Sequence, residues 1–302
     1  MKTPLAILFS LALAFAAFAQ EPAATPLAPD NSRLTADQLE QLLGPIALYP
    51  DALIALMLPA ATAPADVVLA ARYLRDGGDP TAITTRAWDE SVVSLIHYPE
   101  VVKWMDDNLA WTKQVGEAFH AQPAEVMQAI QRLRAKARAA GTLLDSPQQQ
   151  VLVDRDVIMI VPARADVLYV PYYDAALIYS PPTYFYGSTT FMTFSPPLVV
   201  GPWLAYDCDW RQHTIWTTDH RRERGDNRDW RRPVFPGQPG YVNDPNRHPW
   251  RPPTNFRGVP KAGSDRPDDI ARPAPFSPAP HQAVVNNQPP QPRVDLHEPP
   301  PR

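Results

Sequence analysis

The chain has 302 residues, of which 38 are proline and one is cysteine, and its formal net charge is −4 at pH 7. One cysteine excludes an internal disulfide framework and a cysteine-rich zinc module, and the slight acidity excludes the whole-protein basic footprint of specific nucleic-acid binding. Residues 211–302 hold 19 of the prolines but only 12 Leu, Ile, Val or Phe, below the roughly 20% at which chains begin to build a core.

The first 19 residues read as a secretory signal. Lys2 supplies the charged n-region, Leu5 to Phe18 is an apolar run broken only by Ser10, and Ala17-Phe18-Ala19 is a small-x-small cleavage pattern, which places the cut between Ala19 and Gln20. The run is shorter than the ~20 residues of a membrane span; an uncleaved anchor is the rival reading. The only later apolar stretch of note, Phe191 to Ala205, is interrupted by Pro196, Pro197 and Pro202, so no transmembrane helix is expected after signal removal. The expected location is the periplasm or cell envelope. In that oxidising space Cys208 has no intramolecular mate, and is either buried or open to another chain.

A linker at 20–33 precedes a series of helix signals. Thr35 with Gln38 forms a capping-box pattern, and Leu39, Leu42, Leu43 and Ile46 follow at helical spacing. Pro50 interrupts, Asp51 is placed to cap a helix over Ala52 to Leu58, and Pro59 and Pro64 bracket a further turn. Val67, Ala70, Ala71 and Leu74 form a stripe that stops at Gly77-Gly78. Trp111, Val115 and Phe119 mark another helix. The strongest signal is Pro123 to Ala140: proline suits the first turn, and Val126, Ile130, Leu133, Ala137 and Ala140 share a face. Glu125 near its start and Arg134, Lys136 and Arg138 near its end complement the dipole, and Gly141 ends it. Leu48-Tyr49-Pro50-Asp51 and His97-Tyr98-Pro99-Glu100, 49 residues apart, read either as two copies of a helical hairpin or as repeated use of one restart signal.

The period then changes. Val151 to Val153, Val157 to Val161, Val167 to Val170 and Leu177 to Tyr179 predict an antiparallel meander, with Pro162 and Pro171 at strand ends. An exposed strand edge would accept a partner strand, unless Pro171 blocks it. Residues 180–206 are aromatic and proline-rich. The expected architecture is therefore α+β: a domain at 34–206, helical over 34–141 and β over 148–206, then a disordered tail over 207–302. Residues 20–210 carry 12 Lys+Arg against 22 Asp+Glu, whereas residues 211–302 carry 15 against 10.

One set of motifs has a recognisable order. It comprises Tyr49-Pro50-Asp51, Trp88-Asp89-Glu90-Ser91-Val92, Tyr98-Pro99, Leu109-Ala110-Trp111-Thr112 with Gly116-Glu117-Ala118-Phe119, Gln128, Gln131-Arg132-Leu133-Arg134, Ala140-Gly141, Gln149-Gln150-Val151 and Tyr169-Val170-Pro171-x-Tyr173-Asp174. From about Leu34 to Tyr179, with a trailing Cys208-Asp209-Trp210, this order resembles the bacterial family called domain of unknown function 3300. Glu90 departs from it, standing where members tend to have proline. The resemblance implies a signal peptide, a folded domain and a variable polar tail, and it implies no activity, substrate or catalytic residue.

No G-x-S-x-G, H-E-x-x-H, P-loop or dinucleotide fingerprint is present, so the expectation leans away from an enzyme, and no cofactor is predicted. His97 is either a base or a helix-end histidine satisfied by backbone. Asp207-Cys208-Asp209 with His213 is the one cluster of mixed ligand chemistry; it would suit a divalent metal or a Cys-His nucleophile, or be structural. Trp88, Trp104 and Trp111 read as core, or, if exposed, as a platform for a glycan or small ligand. Trp203, Trp210, Trp216, Trp230 and Trp250 continue into the arginine-rich part, beyond any expected core. With Arg221, Arg222, Arg231 and Arg232, the residues Trp210, Trp216 and Trp230 compose a candidate binding arm for an anionic envelope polymer, another envelope protein or the chain's own acidic domain. A solubilising spacer is the alternative. The leading functional expectation is an adaptor or scaffold.

Overall fold

The computed structural model describes residues 33–83, 87–180, 191–201, 203–218, 247–252 and 270–276. The fold is α+β, with helices first and small antiparallel sheets after them. Helix α1 (Ala36–Leu43) starts on the predicted box: the Thr35 side chain accepts from Gln38 N and the Gln38 side chain accepts from Thr35 N. It buries Leu39, Leu42 and Leu43. The turn that follows, Ile46 to Tyr49, is wholly buried.

Helix α2 (Asp51–Ala61) is apolar around its whole circumference, so it can only be stable inside. It is the central element, buried from Leu53 to Ala61 and packed against α3 (Pro64–Arg75), α4 (Glu90–Leu95), α6 (Leu109–Ala121) and strands of the second half. The helix runs through Pro59 to Ala61, three residues further than expected, and its end is held by Thr62, whose N and Oγ1 both bond Pro59 O. Asp51 is the first helical residue rather than the cap. No single helix among the described residues is long and apolar enough to cross a membrane.

Both predicted glycine stops are real. Gly77 (φ 80°) and Gly141 (φ 72°) take the left-handed conformation. In each case the two residues after the cap bond back to the last turn: Gly77 N to Leu74 O and Gly78 N to Tyr73 O, then Gly141 N to Arg138 O and Thr142 N to Ala137 O. Helix α5 (Pro99–Asp107) and helix α7 (Pro123–Ala139) both begin on proline. Between α5 and α7, α6 approaches α2 so closely that a Cβ on Gly116 would lie 2.0 Å from Ala61 O. Glycine is required there by backbone contact, not by φ.

The β half is less continuous than one meander. β1 (Gln149–Asp154) and β2 (Val157–Pro162) form the expected hairpin. β3 (Val167–Leu168) pairs instead with β6 (Leu198–Val199), and β4 (Pro171–Tyr173) with β5 (Met192–Phe194). These two pairs continue one another with a one-residue register shift. At the shift Ser195 N bonds Val170 O and Ser195 Oγ accepts from Val170 N. Leu177 to Tyr179 is no strand: α8 (Ala175–Ile178) starts there on the Asp174 side chain.

Ordered structure continues beyond residue 206. β7 (Tyr206–Asp209), β8 (Thr214–Thr218) and β9 (Arg247–Pro249) make a three-stranded sheet, with β7 against α2. The expectation of a tail from 207 failed because it was drawn from composition averaged over a long window, whereas this hairpin buries Cys208, Trp210 and Ile215 by alternation.

Candidate functional site

Three widely separated pieces of the recognisable motif set meet in one buried hub. Arg134, fully buried on α7, gives Nη1 to Asp51 Oδ1 at 2.6 Å and to Ile158 O at 2.8 Å, Nε to Ala47 O at 2.9 Å and Nη2 to Tyr49 O at 3.0 Å. Asp51 Oδ1 also accepts from Ile160 N, and its Oδ2 accepts from Trp210 Nε1 at 2.8 Å. The Trp210 ring lies 4.6 Å from the guanidinium, a cation–π contact sheltered from water. Gln131, one turn earlier, pairs with both main-chain groups of Ile158. Side chains of α7 thus act as a surrogate strand along β2. Arg134 is a structural bolt, not the helix-end charge that its local position suggested.

A tyrosine frame stands beside the hub. The Tyr173 and Tyr179 hydroxyls both donate to Gly44 O, at 2.9 and 2.8 Å, and Tyr173 accepts from Leu48 N. Burial pushes both phenols above their ordinary range. Tyr49 packs edge-on to Tyr173 at 6.5 Å; its hydroxyl is buried and has no hydrogen-bond partner among the described residues.

Next to this frame the chain returns from far along the sequence. Residues 270–276 cross a groove between α1, α5, α6 and β4. Phe276 stacks on Tyr172 at 5.1 Å and meets Tyr49 and Trp104 edge-on at 6.3 and 5.7 Å. Trp104 Nε1 donates to Ala274 O at 2.9 Å, and Asn108 Oδ1 accepts from Ala274 N at 2.8 Å. The Asn108 amide is oriented by its Nδ2 bond to Trp104 O. Gln114 Oε1 accepts from Ala271 N. With its amide turned to suit the donors facing it, Gln41 accepts from Arg272 Nε and Nη2 at 3.0 and 3.1 Å. A cavity of about 440 Å³ remains beside the strip, lined by Glu40, Asp174 and the tyrosine frame among others. Glu40 is held below the usual carboxylate range: burial raises it, but Lys136 and Arg132 together outweigh that. The Tyr172 phenol is pushed up to about 12 by burial and by Glu100.

The residues singled out by sequence fare differently. Trp210 is buried in the hub and Trp216 is partly buried on β8, so neither belongs to a free arm. Trp203 stacks on His97 at 3.9 Å and Trp250 on Phe119 at 5.3 Å. Local packing on the body, invisible to composition, overturns the expectation that no core receives them. Arg221, Arg222, Trp230, Arg231 and Arg232 lie outside the described residues, as do Ala19 and Gln20. Cys208, Asp209 and His213 do not converge. Strand alternation turns Cys208 inward, where its thiol contacts Asp51 O at 3.6 Å, while Asp209 Oδ1 accepts from the backbone of Arg211 and Gln212. Among the described residues no three His, Cys, Asp or Glu side chains are grouped to hold a metal ion. Burial, then Asp51, pushes the Cys208 thiol well up, the reverse of an activated nucleophile. His97 is lowered by burial, against a smaller opposing pull from Asp79. Trp111 and Trp104 are both buried in the core as expected; Trp111 donates to Leu42 O, and Trp104 also lines the groove, where it donates to Ala274 O.

The set of segments that builds hub, frame and groove is that of a family. The chain belongs to the family described as "Protein of unknown function (DUF3300)", whose model matches residues 35–234. It is similar to the "Uncharacterized protein YacH" of Escherichia coli (strain K12), with 32% identity over 216 residues. That alignment covers 59% of this chain and 35% of the length of the relative. No solved structure matches.

Proposed function

We propose that the protein is exported and acts without catalysis, as an envelope adaptor whose arginine-rich segment 219–246 contacts an anionic polymer while the folded body serves as its mount. The observation that carries this reading is the pairing of Thr218 with Arg247 in the β8–β9 ladder. Both ends of the segment bearing Arg221, Arg222, Trp230, Arg231 and Arg232 are thereby anchored at one place on the body. Anchoring both ends lowers the entropy lost when the segment engages a surface. Arginine suits the role because its planar fork pairs with phosphate and carboxylate groups in two places at once. Export is supported by the pattern of Lys2, the apolar run and Ala17-Phe18-Ala19.

Two measurements test this reading. Fractionation with N-terminal sequencing should find the protein in the envelope or periplasm, starting at Gln20; a chain starting at Met1 in the cytoplasm refutes export. On immobilised heparin, used as a polyanion probe, the intact chain should be retained and eluted by salt, as expected for contacts that screen over ~10 Å. The variant with Arg221, Arg222, Arg231 and Arg232 all changed to Gln should elute at clearly lower salt. Equal elution of the two proteins removes the arginines from the account.

A further inference from the structure

The groove under residues 270–276 is built without them. Every groove residue named above as touching the strip falls within residues 35–234, the family-matched part, whereas the strip lies outside it. The groove recognises main chain as much as side chain. Both polar groups of Ala274 and the N–H of Ala271 are bonded by Trp104, Asn108 and Gln114, contacts that any extended peptide offers. Specificity comes from two places: a ring pocket that takes Phe276 and an amide oxygen that takes Arg272. Pro273 and Pro275 fix their own φ and push Arg272 and Ala274 toward extended backbone. A segment of this type loses little entropy on docking, the reason that aromatic grooves elsewhere select proline-rich peptides.

The strip also leaves the site incompletely used. The cavity beside it is about 440 Å³. Tyr49, on its wall, keeps a buried hydroxyl with no partner among the described residues, and such a group calls for an explanation. On the same wall Glu40 is already paired with Arg132 and Lys136, and Asp174 caps α8, so the polar recognition of Arg272 falls to the Gln41 amide oxygen.

We propose that this groove is a recognition site for an extended Arg-Pro-x-Pro-aromatic peptide carried by a partner chain, and that residues 270–276 are its tethered competitor. The site is separate from the arginines of the adaptor reading and stands or falls without them. A tethered competitor acts at an effective concentration near the mM range, so a free peptide of μM affinity binds an intact chain on the order of 1,000-fold more weakly than an emptied one.

The test uses the full chain and a labelled peptide with the sequence of residues 268–278, followed by fluorescence anisotropy. Phe276→Ala should bind the peptide at least ~10-fold more tightly than the intact chain. Adding Trp104→Phe, which removes the donor to Ala274 O but keeps a ring, should abolish the gain, and a peptide lacking the aromatic should not compete. Where Phe276→Ala fails to fold, Ala274→Pro, which removes the N–H that Asn108 accepts and sets a ring against that amide, replaces it in the scheme. Absence of peptide binding by a folded, emptied variant overturns the recognition site. Equal binding by intact and emptied chains overturns the competitor. A concentration-dependent dimer of the intact chain that Phe276→Ala abolishes makes the occupant a second copy and overturns the partner assignment. Heparin retention is indifferent to these substitutions, so the two proposals fail separately.

Discussion

Replacing Arg134 with methionine keeps the unbranched apolar stem, ends short of the guanidinium position and removes the charge and its donors. Asp51, 4% exposed, would keep Ile160 N and Trp210 Nε1 as donors but lose its countercharge. The carbonyls of Ala47 and Tyr49 would lose their Arg134 donors, while Ile158 O would keep Gln131 Nε2. Breaking a buried pair from one side costs about 3–5 kcal/mol, and an orphaned buried carbonyl about 1 kcal/mol or more. These contributions share one donor group and do not simply sum. A loss of about 4–6 kcal/mol is expected, against a total stability of roughly 5–15 kcal/mol, so Arg134→Met should sit near the edge of unfolding. Equilibrium urea unfolding, read by circular dichroism, measures it. The double variant Asp51→Leu/Arg134→Met, which removes both charges, should be more stable than the sum of its single variants allows by about 2–3 kcal/mol. A loss under about 1 kcal/mol for Arg134→Met, or additivity in the cycle, would refute the buried bolt.

Gly116→Ala should cost about 1–3 kcal/mol, or prevent folding, because the new methyl meets the Ala61 carbonyl at 2.0 Å and neither backbone can move aside cheaply; a thermal melt unchanged from the parent contradicts the close approach. Cys208 should resist an aromatic disulfide reagent in the native chain and react fully in denaturant, since its thiol is buried and its ionisation suppressed. Burial lowers His97 below 6.5 in the folded chain. The unfolded chain then binds more protons, so stability falls as pH drops below about 6.5. His97→Gln should flatten the melting temperature between about pH 5 and 6.5, and an unchanged slope would discount the histidine.

Local chemistry was legible in the sequence wherever the physics is local. The Thr35–Gln38 box, the proline starts of α5 and α7 and the glycine stops at 77 and 141 depend on neighbours within a few residues. Asp51 and Arg134 misled because each has a satisfactory local role, helix cap and helix-end charge, that hides a partner 83 residues away. Leu177 to Tyr179 misled because three apolar residues fit either period, and Asp174 decides for helix. The groove was the least legible part. Trp104 and Asn108 lie one helical turn apart, and Arg272-Pro273-Ala274-Pro275-Phe276 is a docking pattern, but a proline-rich region far from the core gave no reason to look for both together. The signal lay in that short motif within the tail; averaging over 92 residues concealed it.

The central claim is that the folded body holds residues 270–276 through Trp104 and the ring pocket around Phe276. The indole N–H signals of the ¹⁵N-labelled full chain test it most directly. Trp104 Nε1, assigned with Trp104→Phe, should be protected from hydrogen exchange. In Phe276→Ala it should shift and lose protection, while Trp111 Nε1, bonded to Leu42 O inside the core, should stay unchanged. A Trp104 signal that exchanges freely in the intact chain, or that ignores Phe276→Ala, would contradict the account.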